Sequence, residues 1–358
     1  MKKTLKLLAL LMSVFMLVSL TVGCGQKKEK HKIGLLMPSK KTSRWTQDAD
    51  NLIKQLQSKD FKIVTKNADD DADLQVTQLS ELIDEGCEIL VIASIDSDKL
   101  TALLEKAASK KIRIIAYDRL IMNTKNVDYY VTFDNYEVGK MQGTHIETAL
   151  GLDKGNGPFN IELFGGAPED NNARFFFNGA MDVLNKYIES GMLVVKSGQK
   201  NFEEISTEAW LNTNAENRMA ELLKTYYNGD ALHAVLSPND SLAGGILNAL
   251  KADGYDGVNR NFPVIVGQDA DIDGVKAILR GEQSMTIFKD TRELANATFK
   301  IIDNIFLGKS IETNGTYDNN IKTVPTYSCK PFAVTADNYK AYLVDSGYYD
   351  ADAFAEFN

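Results

Sequence analysis

The strongest constraint on this chain is a regular alternation of short apolar runs with helical patterns, which continues over most of its 358 residues. The segment Lys111–Arg119 is an example. Its three isoleucines suit a buried parallel strand, and it ends in the charged pair Asp118-Arg119. Similar runs recur, separated by short connections and by segments with apolar residues at helical spacing. The alternation predicts parallel sheets that are covered on both faces by helices.

The pattern starts again after Thr132–Asn135, which favours two similar α/β halves in tandem. The length is also typical of about two domains. The predicted strands, in chain order, are Lys32–Pro38, Phe61–Thr65, Ile89–Ala93, Ile112–Arg119, Tyr129–Phe133, Phe159–Phe164, Met192–Lys196, Ala231–Leu236, Val264–Val266 and Met285–Phe288.

Several of these predicted strands end in polar side chains. Ligands of open α/β sheets bind just outside the carboxyl ends of the strands, so these groups are candidates for a ring around one cleft. Arg119 offers five donors, and we expect Asp118 to hold its guanidinium. The alternatives are a surface ion pair at Asp118-Arg119 and helix N-caps at the other positions. The strand-end groups are Asp118-Arg119, Asp170-Asn171-Asn172, Asn239-Asp240, Gln268-Asp269 and Lys289.

The two tryptophans, Trp45 and Trp210, each follow a strand in one half. An aromatic face packs on the C–H patch of a pyranose, while carboxylates and amides bind its hydroxyls. The two residues are therefore candidates for stacking on a sugar ring. The alternative is that both belong to the hydrophobic core, as large aromatic residues often do.

Residues 1–23 have the pattern of a secretory signal peptide. Lys2 and Lys3 precede an apolar run, which ends at Gly23 before Cys24. This ending resembles a bacterial lipobox and predicts lipidation of Cys24, followed by a flexible linker over residues 24–31. Thr21 stands where a lipobox usually has Leu, so an ordinary signal peptide with an incidental Cys is the alternative. The charged linker argues against a transmembrane anchor.

Composition and motifs exclude several classes of function. The net charge of −9 argues against nucleic acid as a partner. The chain has no Gly-rich nucleotide motif and no zinc spacing, and Asp269–Gly274 opens like a calcium loop but has Arg280 where a bidentate Glu is needed. We therefore expect no metal and no cofactor. Nothing in the spacing indicates whether Cys87 and Cys329 form a disulfide.

Longer motifs carry a resemblance to a known family. The stretches RWTQD, AYDRLI, FDNYEVG, FNIELFGGAPEDNNA, SPND, GQDAD and MTIFKDTRELA closely resemble the multiple-sugar-binding receptors of the ChvE type and, less closely, the D-xylose-binding proteins. Both groups are substrate-binding proteins of ABC sugar importers with the periplasmic binding protein type I fold. The likeness extends from Lys32 to Tyr349.

The resemblance implies a fold of two doubly wound, Rossmann-like lobes with parallel sheets, joined by a hinge of several crossovers near Asp134, Lys289 and Pro325. The N-terminal lobe would comprise residues 32–133 and about 289–325. The C-terminal lobe would comprise residues 134–288 and about 326–358. The implied ligand-binding residues are Arg44, Trp45, Asp118, Arg119, Asp170, Asn172, Trp210, Asn239, Asp269 and Lys289.

The implied function is capture of an aldose in the cleft between the lobes and its delivery to an ABC permease with its ATPase. The protein would be a monomer outside the cytoplasm, attached to the membrane by a lipid. Residue types do not distinguish xylose, arabinose, glucose and galactose, which differ by one hydroxyl or one CH2OH. Delivery to a chemoreceptor, or sugar sensing without transport, is equally compatible with these residues.

Two other classes of protein remain as alternatives. A secreted glycosidase would use paired carboxylates, but the acids here lie beside amides and cations that keep them ionised, which suits binding better than acid catalysis. A sugar-responsive repressor shares the fold but needs an N-terminal helix-turn-helix, where this chain has a secretory signal.

Overall fold

The computed structural model describes residues 30–40 and 42–357. The predicted signal peptide, Cys24 and most of the linker lie outside these residues. Two separate sheets form the framework. The first has seven strands in the order β11-β12-β5-β4-β3-β1-β2. Its strands are β1 (Lys32–Met37), β2 (Lys62–Asn67), β3 (Ile89–Ile92), β4 (Arg113–Tyr117), β5 (Tyr129–Phe133), β11 (Gly315–Asp318) and β12 (Thr323–Cys329).

The second sheet has six strands in the order β13-β10-β9-β8-β6-β7. Pairing is parallel in both sheets except at one edge of each, where β11 runs antiparallel to β12 and β13 runs antiparallel to β10. The prediction of a two-lobed α/β fold is confirmed. The strands are β6 (Phe159–Leu163), β7 (Leu193–Val194), β8 (Ala234–Leu236), β9 (Val264–Gln268), β10 (Met285–Phe288) and β13 (Phe332–Val334).

Helices cover both faces of each sheet. None of those in the described part of the chain is long and apolar enough to cross a membrane. In chain order they are α1 (Ser43–Gln57), α2 (Ala72–Asp84), α3 (Thr101–Ser109), α4 (Asn135–Leu150), α5 (Asn171–Glu189), α6 (Phe202–Ile205), α7 (Asn212–Tyr226), α8 (Asp240–Ala252), α9 (Ile272–Leu279) and α10 (Thr291–Leu307), with short 3-10 helices at Leu152–Lys154, Glu208–Trp210 and Ala351–Phe357 and a π-helix at Lys340–Val344.

Strand β1 shows how the sequence places its side chains. Successive strand residues point to opposite faces. Ile33, Leu35 and Met37 accordingly pack in the core under α1 and α10, while Leu36 packs in the core under α2 and α3. We call the first sheet with α1–α3 and α10 the first lobe. The second sheet, α4–α9 and the chain after β13 form the second lobe.

The chain passes between the lobes three times, after β5, after β10 and after β12. The third connection differs from the one predicted near Pro325. Pro325 lies inside β12, opposite Thr316 of β11, and the strand continues to Cys329, which pairs with Phe133 of β5. The proline is tolerated because pairing with β5 starts only at Thr326, so β5 does not require its missing N–H.

The two described cysteines are free thiols and both are buried. Cys87 belongs to the core under α2 and α3, whereas Cys329 belongs to the core on the opposite face of the first sheet. This separation prevents a disulfide between them. Burial raises the pKa of Cys87 to about 11 and that of Cys329 to about 12, so neither is a reactive thiolate at neutral pH.

Candidate ligand-binding site

A cavity of about 440 Å³ lies between the lobes, at the carboxyl ends of the strands. Side chains from both lobes line it, and all ten residues predicted from the sequence are among them. The ten are Arg44, Trp45, Asp118, Arg119, Asp170, Asn172, Trp210, Asn239, Asp269 and Lys289. The structure therefore brings the predicted set together, while its role in binding a ligand stays a prediction.

Arg44, in the first turn of α1, is the centre of a buried ion-pair network. Its side chain is 7% exposed. Nε donates to Asp48 at 3.2 Å, Nη1 donates to Asp269 at 3.0 Å, and Nη2 donates to Asp118. Burial opposes the charge of Arg44, but the three carboxylates outweigh it and raise the pKa of the guanidinium above its usual range. Because Asp269 belongs to the second lobe, this guanidinium joins the two lobes.

The acids around Arg44 respond to burial in different ways. Burial raises the pKa of Asp48 to about 6, although Arg44 and the hydroxyl of Tyr117, 2.6 Å away, partly offset it. At Asp118, burial is outweighed by Arg44 and Lys289, so its pKa is below the usual range. Asp118 therefore stays an acceptor at neutral pH.

Arg119 makes a second ion pair across the cavity. Its Nε lies 3.0 Å from Asp170, and its Nη1 donates to the carbonyl of Ser94 at 3.2 Å. The predicted partner, Asp118, instead binds Arg44. Asp118 has a left-handed backbone conformation with φ of 59°, and the cation of Arg119 pairs with a carboxylate of the second lobe instead. Burial raises the pKa of Asp170, and Arg119 only partly offsets this.

Lys289 follows β10 and is 2% exposed. Its Nζ lies 2.9 Å from the same oxygen of Asp269 that accepts from Arg44. Asp269 has a φ of 91° and the following Ala270 a φ of 51°, so the turn after β9 is held in a conformation that non-glycine residues rarely adopt. Strained backbone of this kind is typical of functional sites.

Two of the strand-end residues, Asp170 and Asn239, are N-caps and also line the cavity. Asp240 is neither, because it is the first residue of α8 and its buried carboxylate accepts from Gln283 and Thr286. The carboxylate of Asp170 accepts from the N–H of Asn172, at the start of α5. The side chain of Asn239 accepts from the N–H of Leu242, at the start of α8. These two residues are therefore both helix N-caps and part of the cavity lining. Asn172 also reaches the first lobe, where its Nδ2 donates to the carbonyl of Asp118 at 2.8 Å.

The tryptophans lie in the cavity wall on opposite lobes. Trp45 is 6% exposed and packs in the core of the first lobe, with Arg44 and Arg119 over its ring at 5.2 and 5.0 Å. Trp210 ends a 3-10 helix and is half-buried, and its Nε1 is buried without a hydrogen-bond partner among the described residues. Trp45 therefore does pack in the hydrophobic core, as the alternative interpretation predicted. The same residue also lines the cavity.

Sequence reasoning missed part of the lining. Phe176 lies one turn after Asn172 on α5 and was not predicted, whereas Gln268 was among the predicted strand-end groups and does line the cavity. Asp96 follows β3, so the signal that identified the other strand ends applies to it too. Asp48 lies behind the cavity; its spacing of four residues from Arg44 on a helix could have identified it. The lining residues that were not predicted include Thr42, Asp70, Ala72, Ile95, Asp96, Ala167, Glu169, Phe176, Glu208, Leu211, Asn212 and Ser241.

The charges of the lining favour a neutral, hydroxyl-rich ligand. All three cations, Arg44, Arg119 and Lys289, already have carboxylate partners. The carboxylates are Asp70, Asp96, Asp118, Glu169, Asp170, Glu208 and Asp269. An anionic ligand would therefore meet an excess of negative charge. No cluster of His, Cys, Asp and Glu within residues 30–40 and 42–357 is arranged to hold a metal ion.

Comparison with known proteins shows the family to which the chain belongs. Residues 33–310 match the family described as periplasmic binding protein domain. The chain is 47% identical to the multiple sugar-binding periplasmic protein SbpA of Azospirillum brasilense, over 91% of this chain and 92% of that protein. It is also 47% identical to the multiple sugar-binding periplasmic receptor ChvE of Rhizobium radiobacter, over 94% and 95% of the two chains.

One similar solved structure contains a sugar. It is an ABC transporter solute binding protein from Clostridium phytofermentans with bound β-D-glucose. The superposition has a TM-score of 0.87 at 48% identity, and it covers 90% of this chain and 99% of that one.

Proposed function

Because the chain belongs to the periplasmic binding protein family, we propose that it binds an aldose in the cavity between its lobes. The observation that carries the proposal is the convergence of Arg44, Arg119, Lys289 and their carboxylate partners on one cavity with tryptophans in its wall. Glucose is the first candidate, since a similar solved protein contains it.

The arrangement suits the chemistry of a neutral sugar. Arginine and lysine donate hydrogen bonds, carboxylates accept them, and Asn172 and Asn239 can do both. Hydrogen bonds to charged groups contribute about 1.5–3 kcal/mol each, more than neutral ones. Since ion pairs already hold these side chains, little conformational freedom remains to be lost on binding. The aromatic faces supply contact for the C–H surface of the ring.

We further propose that the protein acts outside the cytoplasm as a monomer and delivers its sugar to an ABC permease with its ATPase, and in the same liganded form to a chemoreceptor. It would catalyse no reaction. The periplasmic relatives and the secretory signal support this location. Cys24, after the apolar run, would carry the lipid anchor. One acyl chain attaches weakly and several attach firmly, so the protein should fractionate with membranes.

Calorimetric titration with glucose, galactose, xylose and arabinose tests the binding function. We expect saturable binding of at least one aldose and a strong change in tryptophan fluorescence, since Trp45 and Trp210 are the only tryptophans in the chain. Trp45→Ala should lose binding, and it should also lower the melting temperature because Trp45 packs in the core of the first lobe. An unliganded melt that shows a folded variant must therefore accompany the titration. The absence of binding to all four aldoses would contradict the proposal, and release of new reducing ends from oligosaccharides would favour an enzyme.

Membrane fractionation of Cys24→Ser tests the anchor separately. We expect this variant to be released or to remain unprocessed. If it stays in the membrane fraction with a processed N-terminus, the anchor is not attached at Cys24.

A further inference from the structure

The chain after β13 belongs to the second lobe, but two of its tyrosines reach the first. Tyr339, Leu343 and Phe354 pack in a small core with residues of α9 and β10. Tyr348 and Tyr349 pack against the same core with their rings, and their hydroxyls extend to α1 and to the start of α10. This segment therefore contacts both lobes behind the ligand cavity.

Gln47 of α1 lies between the two hydroxyls. The hydroxyl of Tyr348 donates to Oε1 of Gln47 at 2.9 Å, and Nε2 of Gln47 donates to the hydroxyl of Tyr349 at 3.4 Å. The hydroxyl of Tyr349 in turn donates to the carbonyl of Ala270 at 3.1 Å. A continuous chain of hydrogen bonds thus runs from α1 to the turn after β9.

Each end of this series of hydrogen bonds lies close in sequence to a residue that lines the cavity. Gln47 is three residues after Arg44 on α1, so the two lie on neighbouring turns of one helix face. Ala270 directly follows Asp269, and both have left-handed backbone conformations that need support. The N–H of Ala270 donates to Thr286 at 3.1 Å. Its carbonyl depends on Tyr349.

We propose that Tyr349 is a positioning residue for the ligand site. Its hydroxyl ties α1 to the Asp269–Ala270 turn, so that Arg44 and Asp269, which form an ion pair on the cavity side, are held at a fixed separation from behind. The inference rests on the proposed function, because it assigns this tie to the affinity for the sugar.

Tyr349→Phe is the direct test, since it removes the hydroxyl and keeps the ring. Neutral hydrogen bonds contribute modestly, so we expect sugar affinity to fall about three- to tenfold, with a nearly unchanged melting temperature of the unliganded protein. Tyr342→Phe is the matched control. Tyr342 lies in the same segment with its ring against Phe332, and its hydroxyl has no hydrogen-bond partner among the described residues. This variant should bind like the wild type.

A double-mutant cycle with Gln47→Met shows whether the two side chains act together. If they do, Tyr349→Phe should cost little in the Gln47→Met background. The reverse order is less informative, because Gln47→Met also removes the hydrogen bond from Tyr348. An affinity of Tyr349→Phe within a factor of two of the wild type would overturn the proposal. So would a lower melting temperature with unchanged affinity, because that result is expected of a purely structural hydroxyl.

Amide hydrogen exchange provides a readout that needs no sugar. In Tyr349→Phe we expect faster exchange at the N–H groups of residues 269–272, while Tyr342→Phe should leave them unchanged. If the wild-type protein binds no aldose, the proposed function fails. Hydrogen exchange then tests by itself whether the hydroxyl of Tyr349 holds α1 and the Asp269–Ala270 turn together. Faster exchange supports this tie, and unchanged exchange overturns it.

Discussion

At the scale of single residues, the cations of the cavity are held in place by protein partners. Arg119 uses Nε for Asp170 and one Nη for the carbonyl of Ser94. The remaining donors of its planar fork are available to a ligand. Lysine could supply the charge, but its single ammonium group cannot reproduce this geometry.

We therefore predict that Arg119→Lys weakens sugar binding about ten- to a hundredfold, at about 1.4 kcal/mol per factor of ten. Arg119→Ala should weaken it further, because Asp170 would then lose its cation. The melting temperature of the unliganded Lys variant should fall much less than its affinity. Calorimetric titration and an unliganded melt measure both quantities. Retained affinity with a clear loss of stability would show that Arg119 is only an ion pair at a strand end.

Asp48 gives a prediction on pH. Its pKa is about 6 in the folded protein, against about 3.9 in an unfolded chain. A raised pKa means that the folded state binds the proton more tightly, so the contribution of Asp48 to stability is largest below about pH 4. It is lost as pH rises through about 6, a change on the order of 2–3 kcal/mol.

We predict that Asp48→Asn abolishes this part of the pH dependence. The free energy of unfolding of the wild type, relative to the Asn variant, should decrease between about pH 4 and about pH 6 and then stay constant. Urea unfolding of both proteins across this range measures the difference, in which the titration of groups that do not interact with Asp48 cancels. A difference that does not depend on pH would contradict the prediction.

At the scale of elements, strands with clear polar ends could be predicted well. Tyr129–Phe133 and Met285–Phe288 are strands β5 and β10 with the predicted bounds. Strand β7 was predicted over five residues but spans only Leu193–Val194. Strand β12 was not predicted, because its proline is typical of a break and its pairing depends on β5, which is distant in sequence.

The same limit applies to the site. Adjacent residues at a strand end indicate which groups reach the cavity, and all ten predicted residues line it. The partner of each cation, however, depends on the approach of the other lobe. Asp170 and Asp269 pair with Arg119 and Arg44 only because the two lobes meet there. No local pattern records that contact, so the expected pairing of Asp118 with its neighbour was wrong.

The turn after β6 gives the prediction at this scale. A Cβ on Gly166 would lie 2.0–2.6 Å from ring atoms of Trp210, so an alanine there must displace the indole. We expect Gly166→Ala to weaken sugar binding at least tenfold and to shift the tryptophan emission. Calorimetric titration and fluorescence measure these changes. Native affinity in this variant would place Trp210 outside the ligand contact.

Gly244 in α8 is the matched control for this variant. A Cβ on Gly244 would meet no atom within 4 Å. Gly244→Ala should keep the affinity and stabilise the helix by about 0.5–1 kcal/mol, the usual difference between glycine and alanine within a helix.

At the scale of the whole molecule, the two lobes touch across the cavity. Arg44 binds Asp269, and Asn172 donates to the carbonyl of Asp118. The N–H of Ser97 also donates to the carbonyl of Glu169 at 3.3 Å. The structure therefore has the closed arrangement of the lobes. Closure removes these charged groups from water, which carries a large desolvation cost, and it leaves a cavity of about 440 Å³ between them.

A sugar changes this balance, because it fills the cavity and supplies hydrogen bonds to the groups that closure has dehydrated. Three connections join the lobes and permit them to hinge. We therefore predict that the radius of gyration from X-ray scattering is smaller with saturating aldose than without it. The liganded curve should match the one calculated from this structure. Trp45→Ala, which should not bind, controls for the effect of sugar on solvent contrast and should show no change. The prediction is wrong if the unliganded wild-type curve already matches the closed structure. The lobes would then close without ligand, and binding of the sugar would not change their arrangement.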